Sequence, residues 1–269
     1  MVTKGSAGRI QSMTSLRKSV VLPPMKARRL DLELVGRGLA ESREQAQRLI
    51  LAGEVWVEGQ RWDKASKLCA AEAAIEVRAH DRYVSRGGHK LEAAVAHFHL
   101  DVTGFRCLDV GASTGGFTDC LLQHGAREVV AVDVGHGQLH WRLRQDPRVK
   151  VHEGLNARDL SGLGDEKKRP FDLVVADVSF ISLRKVLPAA FDLLSSGGRV
   201  CALIKPQFEA GRAEVGKGGI VRDAQVRTRV VSELQAWAND YPVTTVGTIP
   251  SPLPGRDGNE EFLWLLQKH

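Results

Sequence analysis

The sequence lacks a long hydrophobic run and a recognisable secretion signal. No stretch of the 269 residues approaches the roughly 20 uninterrupted apolar residues that a membrane-spanning helix needs. The amino terminus lacks a positively charged segment followed by an apolar segment of signal-peptide length. Both absences argue against a pore-forming or membrane-active protein, and we expect a cytoplasmic chain with no membrane partner.

Cysteine pairs at metal-binding or disulfide spacing are also absent. The four cysteines form no C-x-x-C pair, and all but Cys69 lie among apolar neighbours. Such cysteines are typical of buried free thiols in a reducing compartment. We therefore expect no disulfide framework and no metal cofactor.

The chain has fewer acidic than basic residues, so its formal net charge is positive. The chain has 38 lysines and arginines against 32 aspartates and glutamates, which gives a formal net charge of +6. A positive net charge favours an anionic partner, of which nucleic acid is the commonest. The length and the 43% hydrophobic content suit roughly two domains.

The amino-terminal third of the chain divides into a tail and a small domain. Residues 1–25 are basic, rich in small polar residues and without period, which predicts a flexible tail. Residues 26–84 then show two short amphipathic helices followed by two short strands. The apolar face of the first helix is opened by Leu30, Leu32, Leu34 and Val35, and Ser42 is placed to cap the second helix.

Residues 85–269 alternate continuous apolar runs with helical patterns. The runs FRCLDVG, EVVAVDVG, FDLVVADVSF and RVCALIKPQF read as strands, whereas LRKVLPAAFDLLSSGG and residues 223–239 read as helices. This alternation predicts a doubly wound, Rossmann-like α/β domain whose mostly parallel sheet is covered on both faces. Ligands of such sheets lie at the carboxyl ends of the strands.

A glycine-rich loop follows the first of these strands, in the stretch CLDVGASTGGFTDCLL. The loop lacks the G-x-G-x-x-G dinucleotide pattern and the lysine of a P-loop, which argues against a dehydrogenase. A tight turn that holds no ligand remains the alternative. The loop comprises Gly111, Ala112, Ser113, Thr114, Gly115 and Gly116.

Asp133 supports a nucleoside ligand for this loop. It ends the second strand, where a carboxylate can accept hydrogen bonds from two ribose hydroxyls. The loop lacks a phosphate-binding pattern, and Asp133 is placed to bind ribose hydroxyls. Both features suit S-adenosylmethionine, which contains adenosine but no pyrophosphate. Its sulfonium would be favoured near Asp109 or Asp177. We therefore predict S-adenosylmethionine as the cofactor.

Three motifs in residues 26–84 resemble those of the alpha-L RNA-binding domain named after a ribosomal small-subunit protein. They are RLD at 29–31, SREQA at 42–46 and GEVWVEG at 53–59. The resemblance implies a domain that binds structured RNA. The alternative is that its basic residues form only a solvent-exposed face with no RNA contact. The candidate phosphate contacts are Arg28, Arg29, Arg37, Arg43, Arg48, Lys64 and Lys67, with Arg86 beyond the domain.

Further motifs resemble the TlyA family, known both as hemolysins and as ribosomal RNA ribose 2'-O-methyltransferases, whose catalytic domain is similar to the FtsJ-like (RrmJ-like) methyltransferases. They are SRGGHKL, LDVGASTGGFTDCLL, ADVSFISL, LIKPQFE and GNEEF. The resemblance implies 2'-O-methylation of cytidine in ribosomal RNA of one or both subunits. It also implies a catalytic set, which carries over as Lys90, Asp177, Lys205 and Glu261, and cofactor contacts at Val134 and Asn156.

The chemistry of ribose methylation gives each catalytic candidate a role. A ribose hydroxyl is a poor nucleophile and needs a nearby base, which would be Lys205. Lys90, as a second cation, would favour the neutral amine of that base. Asp177 would orient the sulfonium and Lys205, and Glu261 would hold Lys90 or the ribose. Glu261 is preferred to Glu260 because the family pattern is G-N-x-E.

Two further segments are candidates for contacts with the substrate. Phe208 would stack on the target base or serve only in packing. Residues 207–222, rich in glycine and charge, are typical of a flap that closes over a substrate. The remaining alternatives are a membrane-active hemolysin and a catalytically silent ribosome-assembly factor. The sequence leaves the oligomeric state open, with a monomer favoured.

Overall fold

The computed structural model describes residues 27–51, 53–77, 82–255 and 257–269. The predicted tail, residues 1–25, lies outside the described residues. The chain divides into two compact units, residues 1–80 and residues 81–269. The division falls near the boundary that the sequence predicts between residues 84 and 85.

The described residues of the first unit form two short helices and five short strands. In chain order they are β1 (Arg28–Arg29), α1 (Leu30–Gly36), α2 (Arg43–Leu51), β2 (Val55–Val57), β3 (Gln60–Arg61), β4 (Leu68–Cys69) and β5 (Ile75–Val77). Strand β1 pairs with β4, and β2 lies between β3 and β5, all antiparallel. Ser42 caps α2 as predicted, because its Oγ accepts a hydrogen bond from Gln45 N at 3.2 Å.

The core of the first unit lies between its helices and the β2 sheet. Leu30, Leu34, Ile50 and Val55 are almost completely buried and belong to one hydrophobic cluster. Leu32, which the sequence predicts on the same apolar face of α1, is 36% exposed, so this part of the prediction is wrong. The buried stripe therefore follows the i, i+4 spacing that places side chains on one face of a helix.

The second unit is built from seven strands and six α-helices among its described residues. They are α3 (Gly87–His97), β6 (Arg106–Val110), α4 (Gly116–Gln123), β7 (Glu128–Asp133), α5 (Trp141–Arg144), β8 (Val149–Glu153), β9 (Phe171–Ala176), α6 (Leu187–Leu193), β10 (Leu194–Ile204), α7 (Pro206–Glu209), α8 (Ala224–Ala238), β11 (Val243–Pro250) and β12 (Phe262–Lys268). Short 3₁₀ turns occur at Leu160–Lys168, Leu183–Lys185 and Arg212–Glu214.

These seven strands form one mostly parallel sheet, as predicted. The strand order is β11-β12-β10-β9-β6-β7-β8, and only β12 runs antiparallel to its two neighbours. One hydrophobic cluster includes residues of α6 and α8, and the other includes residues of α3 and α4. Strand β6 is buried along its whole length because both faces of the sheet are covered. The carboxyl ends of β6, β7, β9 and β10 consequently meet at one edge.

The structure corrects one predicted element and refines another. The pattern LRKVLPAAFDLLSSGG reads as a helix, yet α6 ends at Leu193 and the following residues open β10. The register of β10 against β9 shifts between Leu194 and Arg199. Gly197 and Gly198 therefore lie in the irregular first part of β10 and not at the end of a helix. Helix α8 begins one residue after its predicted start because Asp223 caps it, accepting from Gln225 N at 2.8 Å.

Candidate active site

The glycine loop between β6 and α4 packs directly on the end of β9. Gly111 has φ +84° and Gly115 has φ +95°, a backbone conformation that side chains disfavour. A Cβ at Gly111 would lie 2.7 Å from the carbonyl oxygen of Asp177. Glycine at this position therefore lets the loop and the end of β9 approach each other closely.

Asp133, at the end of β7, holds the same loop from the other side. Its Oδ2 accepts a hydrogen bond from Ser113 N at 2.8 Å, and its Oδ1 accepts one from Gly135 N at 2.7 Å. Each carboxylate oxygen has a further acceptor position. Asp133 can thus fix the loop and still bind hydroxyl groups of a ligand.

A cavity of about 930 Å³ opens at the carboxyl ends of β6, β7 and β9, and we name it the Asp133 cavity. Asn156 lies on its wall, where its Oδ1 accepts a hydrogen bond from Arg158 N at 3.0 Å. The wall includes the predicted cofactor residues Gly111, Ser113, Asp133, Val134, Asn156 and Asp177. This edge of the sheet is where doubly wound folds bind their ligands.

A second cavity, of about 950 Å³, brings together all four predicted catalytic residues, and we name it the Lys205 cavity. It shares Gly111, Ser113 and Asp177 with the Asp133 cavity, so the two adjoin. The remaining loop residues Ala112, Thr114 and Gly116 line only the Lys205 cavity. Gly115 lines neither cavity, since it packs on the Leu139 and Leu143 side chains. The four catalytic candidates on the wall are Lys90, Asp177, Lys205 and Glu261.

Lys205 follows β10 and meets two oxygen atoms from the neighbouring loop. Its Nζ lies 2.7 Å from Asp177 Oδ1 and donates a hydrogen bond to Ser179 Oγ at 2.8 Å. Only 11% of the Lys205 side chain is exposed. The amine is therefore held in one place, next to two residues that line both cavities.

Lys90 and Glu261 form a second, more deeply buried pair in the Lys205 cavity. The Nζ of Lys90, on α3, is paired with Glu261 Oε2, just before β12. Neighbouring Glu260 points elsewhere and pairs with Arg227 Nε at 3.1 Å. The charge of Lys90 is thus balanced by Glu261, a contact that agrees with one of the two roles expected for this glutamate.

Asp109, on β6, is a completely buried carboxyl group on the wall of the Lys205 cavity. Its Oδ2 accepts from Thr118 N at 2.9 Å and from Thr118 Oγ at 2.6 Å. Its Oδ1 has no hydrogen-bond partner within the described part of the chain. Burial raises the pKa of Asp109 to about 7, with the charge of Asp177 acting in the same direction against the Thr118 hydrogen bonds.

Sequence reasoning missed Phe180, which lines both cavities. Its side chain is 91% exposed, and its backbone has φ +64°. Its ring lies 5.1 Å from the ring of Phe208. A large aromatic in a disfavoured backbone conformation at a cavity mouth indicates a functional constraint. The signal in the sequence was its place within the ADVSFISL motif, three residues after Asp177.

Several candidate RNA-binding cations of the first unit are engaged within the fold. Arg29 Nη2 and Arg43 Nε lie 2.9 and 3.0 Å from the buried Asp31 carboxylate. The hydrogen bond from Arg29, together with those from Gln47 and Arg43, holds the pKa of Asp31 well below its usual range. These arginines organise the junction of α1 and α2 in addition to any contact with RNA.

Arg37 is similarly engaged, since it pairs with Glu33 at 2.8 Å and donates to the carbonyl of Ala73. Lys67 Nζ lies over the Trp62 ring at 3.6 Å. Arg86 belongs to the second unit, lines the Lys205 cavity and donates to Pro254 O at 2.9 Å. The remaining candidates, all exposed, are Arg28, Arg48 and Lys64.

Comparisons with known proteins agree with this division of the chain. The FtsJ-like methyltransferase model matches residues 83–268, and the S4 domain model matches residues 28–75. The chain is 50% identical over 242 residues to the 16S/23S rRNA (cytidine-2'-O)-methyltransferase TlyA of Mycobacterium tuberculosis, covering 88% of this chain and 89% of that relative. The chain belongs to the TlyA family.

Solved structures place this TlyA-family chain in the same fold. A Streptococcus thermophilus protein described as a hemolysin is 44% identical with a TM-score of 0.67, covering 91% of this chain and 89% of that one. A Listeria monocytogenes protein described as an S-adenosylmethionine-dependent methyltransferase is 16% identical with a TM-score of 0.51, covering 69% and 100% of the two chains. The latter shows the fold alone.

The protein is therefore a methyltransferase that carries an S4 domain. Within the described ranges, no helix combines the length and the apolar character that crossing a membrane requires. No cluster of three or more His, Cys, Asp or Glu side chains suited to a metal ion occurs among those same residues.

Proposed function

We propose that this TlyA-family protein transfers a methyl group from S-adenosylmethionine to the ribose 2'-hydroxyl of cytidine in ribosomal RNA. The observation that carries the proposal is the convergence of Lys90, Asp177, Lys205 and Glu261 on one cavity that adjoins the Asp133 carboxylate. The nucleotide and the RNA class come from the Mycobacterium tuberculosis relative.

The residues present fit S-adenosylmethionine. Asp133 would accept hydrogen bonds from the adenosine ribose, and Asn156 and Val134 lie on the same wall for the adenine side. Asp109 has a buried, unpartnered oxygen on the cavity wall, which suits the positively charged amino group of the methionine portion. When bound, the cofactor supplies an electrophilic methyl group.

Lys205 is the base in this proposal. In the structure, Lys205 Nζ lies 2.7 Å from Asp177 Oδ1. A cationic ligand would share the Asp177 carboxylate and so compete with Lys205 for this contact. Lys205 Nζ would take the proton of the ribose hydroxyl as the hydroxyl oxygen forms a bond to the methyl carbon, the methyl–sulfur bond breaks and the demethylated thioether leaves.

The remaining residues bind and position the RNA. Residues 26–84 supply affinity through the exposed cations Arg28, Arg48 and Lys64, whereas residues 85–269 perform the chemistry. The Phe180–Phe208 ring pair provides a surface for stacking the target base at the mouth of both cavities. A single chain supplies every catalytic candidate, which favours a monomer.

Replacing Asp133 with alanine is expected to weaken S-adenosylmethionine binding roughly 10- to 100-fold, since hydrogen bonds to a charged acceptor contribute about 1.5–3 kcal/mol. Calorimetry on the purified variant measures the change. Asp165→Ala is the matched control, because this carboxylate is 87% exposed and pairs only with Lys168 among the described residues. Unchanged affinity in Asp133→Ala would place the cofactor elsewhere.

Cofactor affinity is also expected to depend on pH through Asp109. Its pKa of about 7 means that the carboxyl is mostly neutral in mild acid and ionises as the pH rises. Because the ionised form attracts a cationic ligand, affinity should increase between about pH 6 and pH 7.5. In Asp109→Asn, the affinity for S-adenosylmethionine should change less over the same pH range. An equally steep profile in that variant would assign the titration to another group.

The proposed function is tested by methyl transfer in vitro. Purified protein is incubated with radiolabelled S-adenosylmethionine and ribosomal subunits or their RNA, and the labelled nucleoside is identified after digestion. We expect label in 2'-O-methylcytidine. Label on a base, or no transfer to either kind of substrate, would contradict the proposal.

A further inference from the structure

A glycine-rich turn at residues 215–222, which we name the wall segment, closes one side of the Lys205 cavity. Val215, Gly218 and Gly219 line this cavity, and no residue of the segment lines the Asp133 cavity. Within the segment, Gly216 N donates to Ile220 O at 3.0 Å and Gly219 N donates to Gly216 O at 3.0 Å. The segment belongs to no helix or strand, so side chains must hold it in place.

Asn259 is the side chain that holds the wall segment. It is 2% exposed, its Nδ2 donates to Gly219 O at 2.9 Å, and its Oδ1 accepts from Val221 N at 3.0 Å. A buried amide with both ends bonded to one backbone segment fixes that segment, because moving it would leave polar groups without partners. The turn would otherwise depend on few tertiary hydrogen bonds.

Glu260, the next residue, reinforces the same segment through Arg227. Arg227 Nε pairs with Glu260, while its Nη1 donates to Val221 O at 3.1 Å and to Arg222 O at 2.7 Å. Glu261 faces the other way and pairs with Lys90. Three consecutive residues therefore connect the wall segment, helix α8 and the catalytic ion pair.

We propose that Asn259 is a positioning residue that holds the wall segment against the Lys205 cavity, and that this wall is required for binding the target nucleotide and not for binding the cofactor. The inference rests on the proposed function, because it takes the Lys205 cavity as the place where the target nucleotide meets the methyl group. The separation is expected because the wall segment lines no part of the Asp133 cavity, which would hold the adenosine portion of the cofactor.

The most informative variant is Asn259→Asp. A carboxylate keeps the acceptor for Val221 N but places a second acceptor against the carbonyl of Gly219, so that one of the two hydrogen bonds is replaced by repulsion. Asn239→Asp is the matched control, since this exposed residue ends α8 and lines neither cavity. Glu260→Gln, at a side chain that is 64% exposed, loosens the same segment without burying a charge.

Two independent readouts test the inference in the full-length protein. Limited trypsin digestion reports on the wall segment, because Lys217 is exposed within it. Cleavage after Lys217 should be about tenfold faster in Asn259→Asp, less accelerated in Glu260→Gln, and unchanged in Asn239→Asp. Methylation kinetics should show a KM for ribosomal RNA raised about tenfold, with kcat changed less. The Kd for S-adenosylmethionine by calorimetry should stay within about twofold of wild type.

Each contrary result overturns a separate part of the inference. Unchanged cleavage in both Asn259→Asp and Glu260→Gln would show that these residues do not hold the segment. Faster cleavage with an unchanged KM for RNA would show that the wall does not serve the substrate. An equal loss of cofactor affinity would indicate a general structural role. A wild-type protein without methyl transfer would contradict the proposed function, and the cleavage result would still decide whether Asn259 holds the segment.

Discussion

Replacing Lys205 with alanine is expected to lower the methyl-transfer rate by about two to four orders of magnitude, the usual contribution of a general base. The amine lies near Asp177 Oδ1 and Ser179 Oγ in the Lys205 cavity, where a hydroxyl proton can be transferred to it. RNA and cofactor should still bind, because the exposed cations of the first unit and the Asp133 carboxylate are unchanged in this variant. Single-turnover kinetics separate the rate of the chemical step from binding.

Lys205→Arg is the variant that distinguishes proton removal from positive charge. A guanidinium keeps its proton at any working pH, so this variant should stay as slow as Lys205→Ala although its charge is retained. Lys168→Ala, at a side chain that is 73% exposed and outside both cavities, is the control and should have the wild-type rate. Wild-type turnover in Lys205→Arg would require the base mechanism to be abandoned.

Replacing Glu261 with glutamine is expected to reduce the free energy of unfolding by about 3–5 kcal/mol, because the variant leaves a buried ammonium without its anion. The Lys90 and Glu261 side chains are only 10% and 3% exposed, so water compensates only in part for the lost partner. Urea denaturation of the purified protein measures the change. Glu260→Gln should differ from wild type by less than about 1 kcal/mol, as expected for an exposed ion pair.

A double replacement tests whether the buried charge itself is the cause. Lys90→Met combined with Glu261→Gln removes the unpaired ammonium, and it should recover part of the stability lost in Glu261→Gln alone. If the double variant loses more stability than the two single variants lose together, the two side chains do not act as a pair. Equal stability losses in Glu261→Gln and Glu260→Gln would contradict the distinction between the two glutamates.

Local sequence patterns predicted the parts of this molecule that depend on neighbouring residues. The glycine loop, the acid at the end of β7 and the cap at Ser42 could be read from the sequence because strand, turn and helix signals are short-range. The family motifs named Lys90, Asp177, Lys205 and Glu261, which come from four separate segments. Their convergence on one cavity depends on the strand order, which the sequence does not state.

Features that depend on distant contacts were not predictable in the same way. The positive charge of Arg43 suggested an RNA contact, yet its Nε pairs with the buried Asp31 carboxylate, 12 residues earlier, through the packing of α2 on α1. The glycines before Arg199 suggested the end of a helix, whereas pairing with β9 draws them into a strand. Asn259 belongs to the GNEEF motif, but its structural role could not be read from the sequence, because its partners lie about 40 residues earlier in the chain.

The most direct measurement is a map of ribose methylation on both ribosomal RNAs from cells that carry the intact gene, lack it, or carry Lys205→Ala. The account predicts at least one 2'-O-methylcytidine that is present with the intact gene and absent from the other two strains. Restoring the wild-type gene should restore the modification. A methylation map that is the same in all three strains would contradict the account.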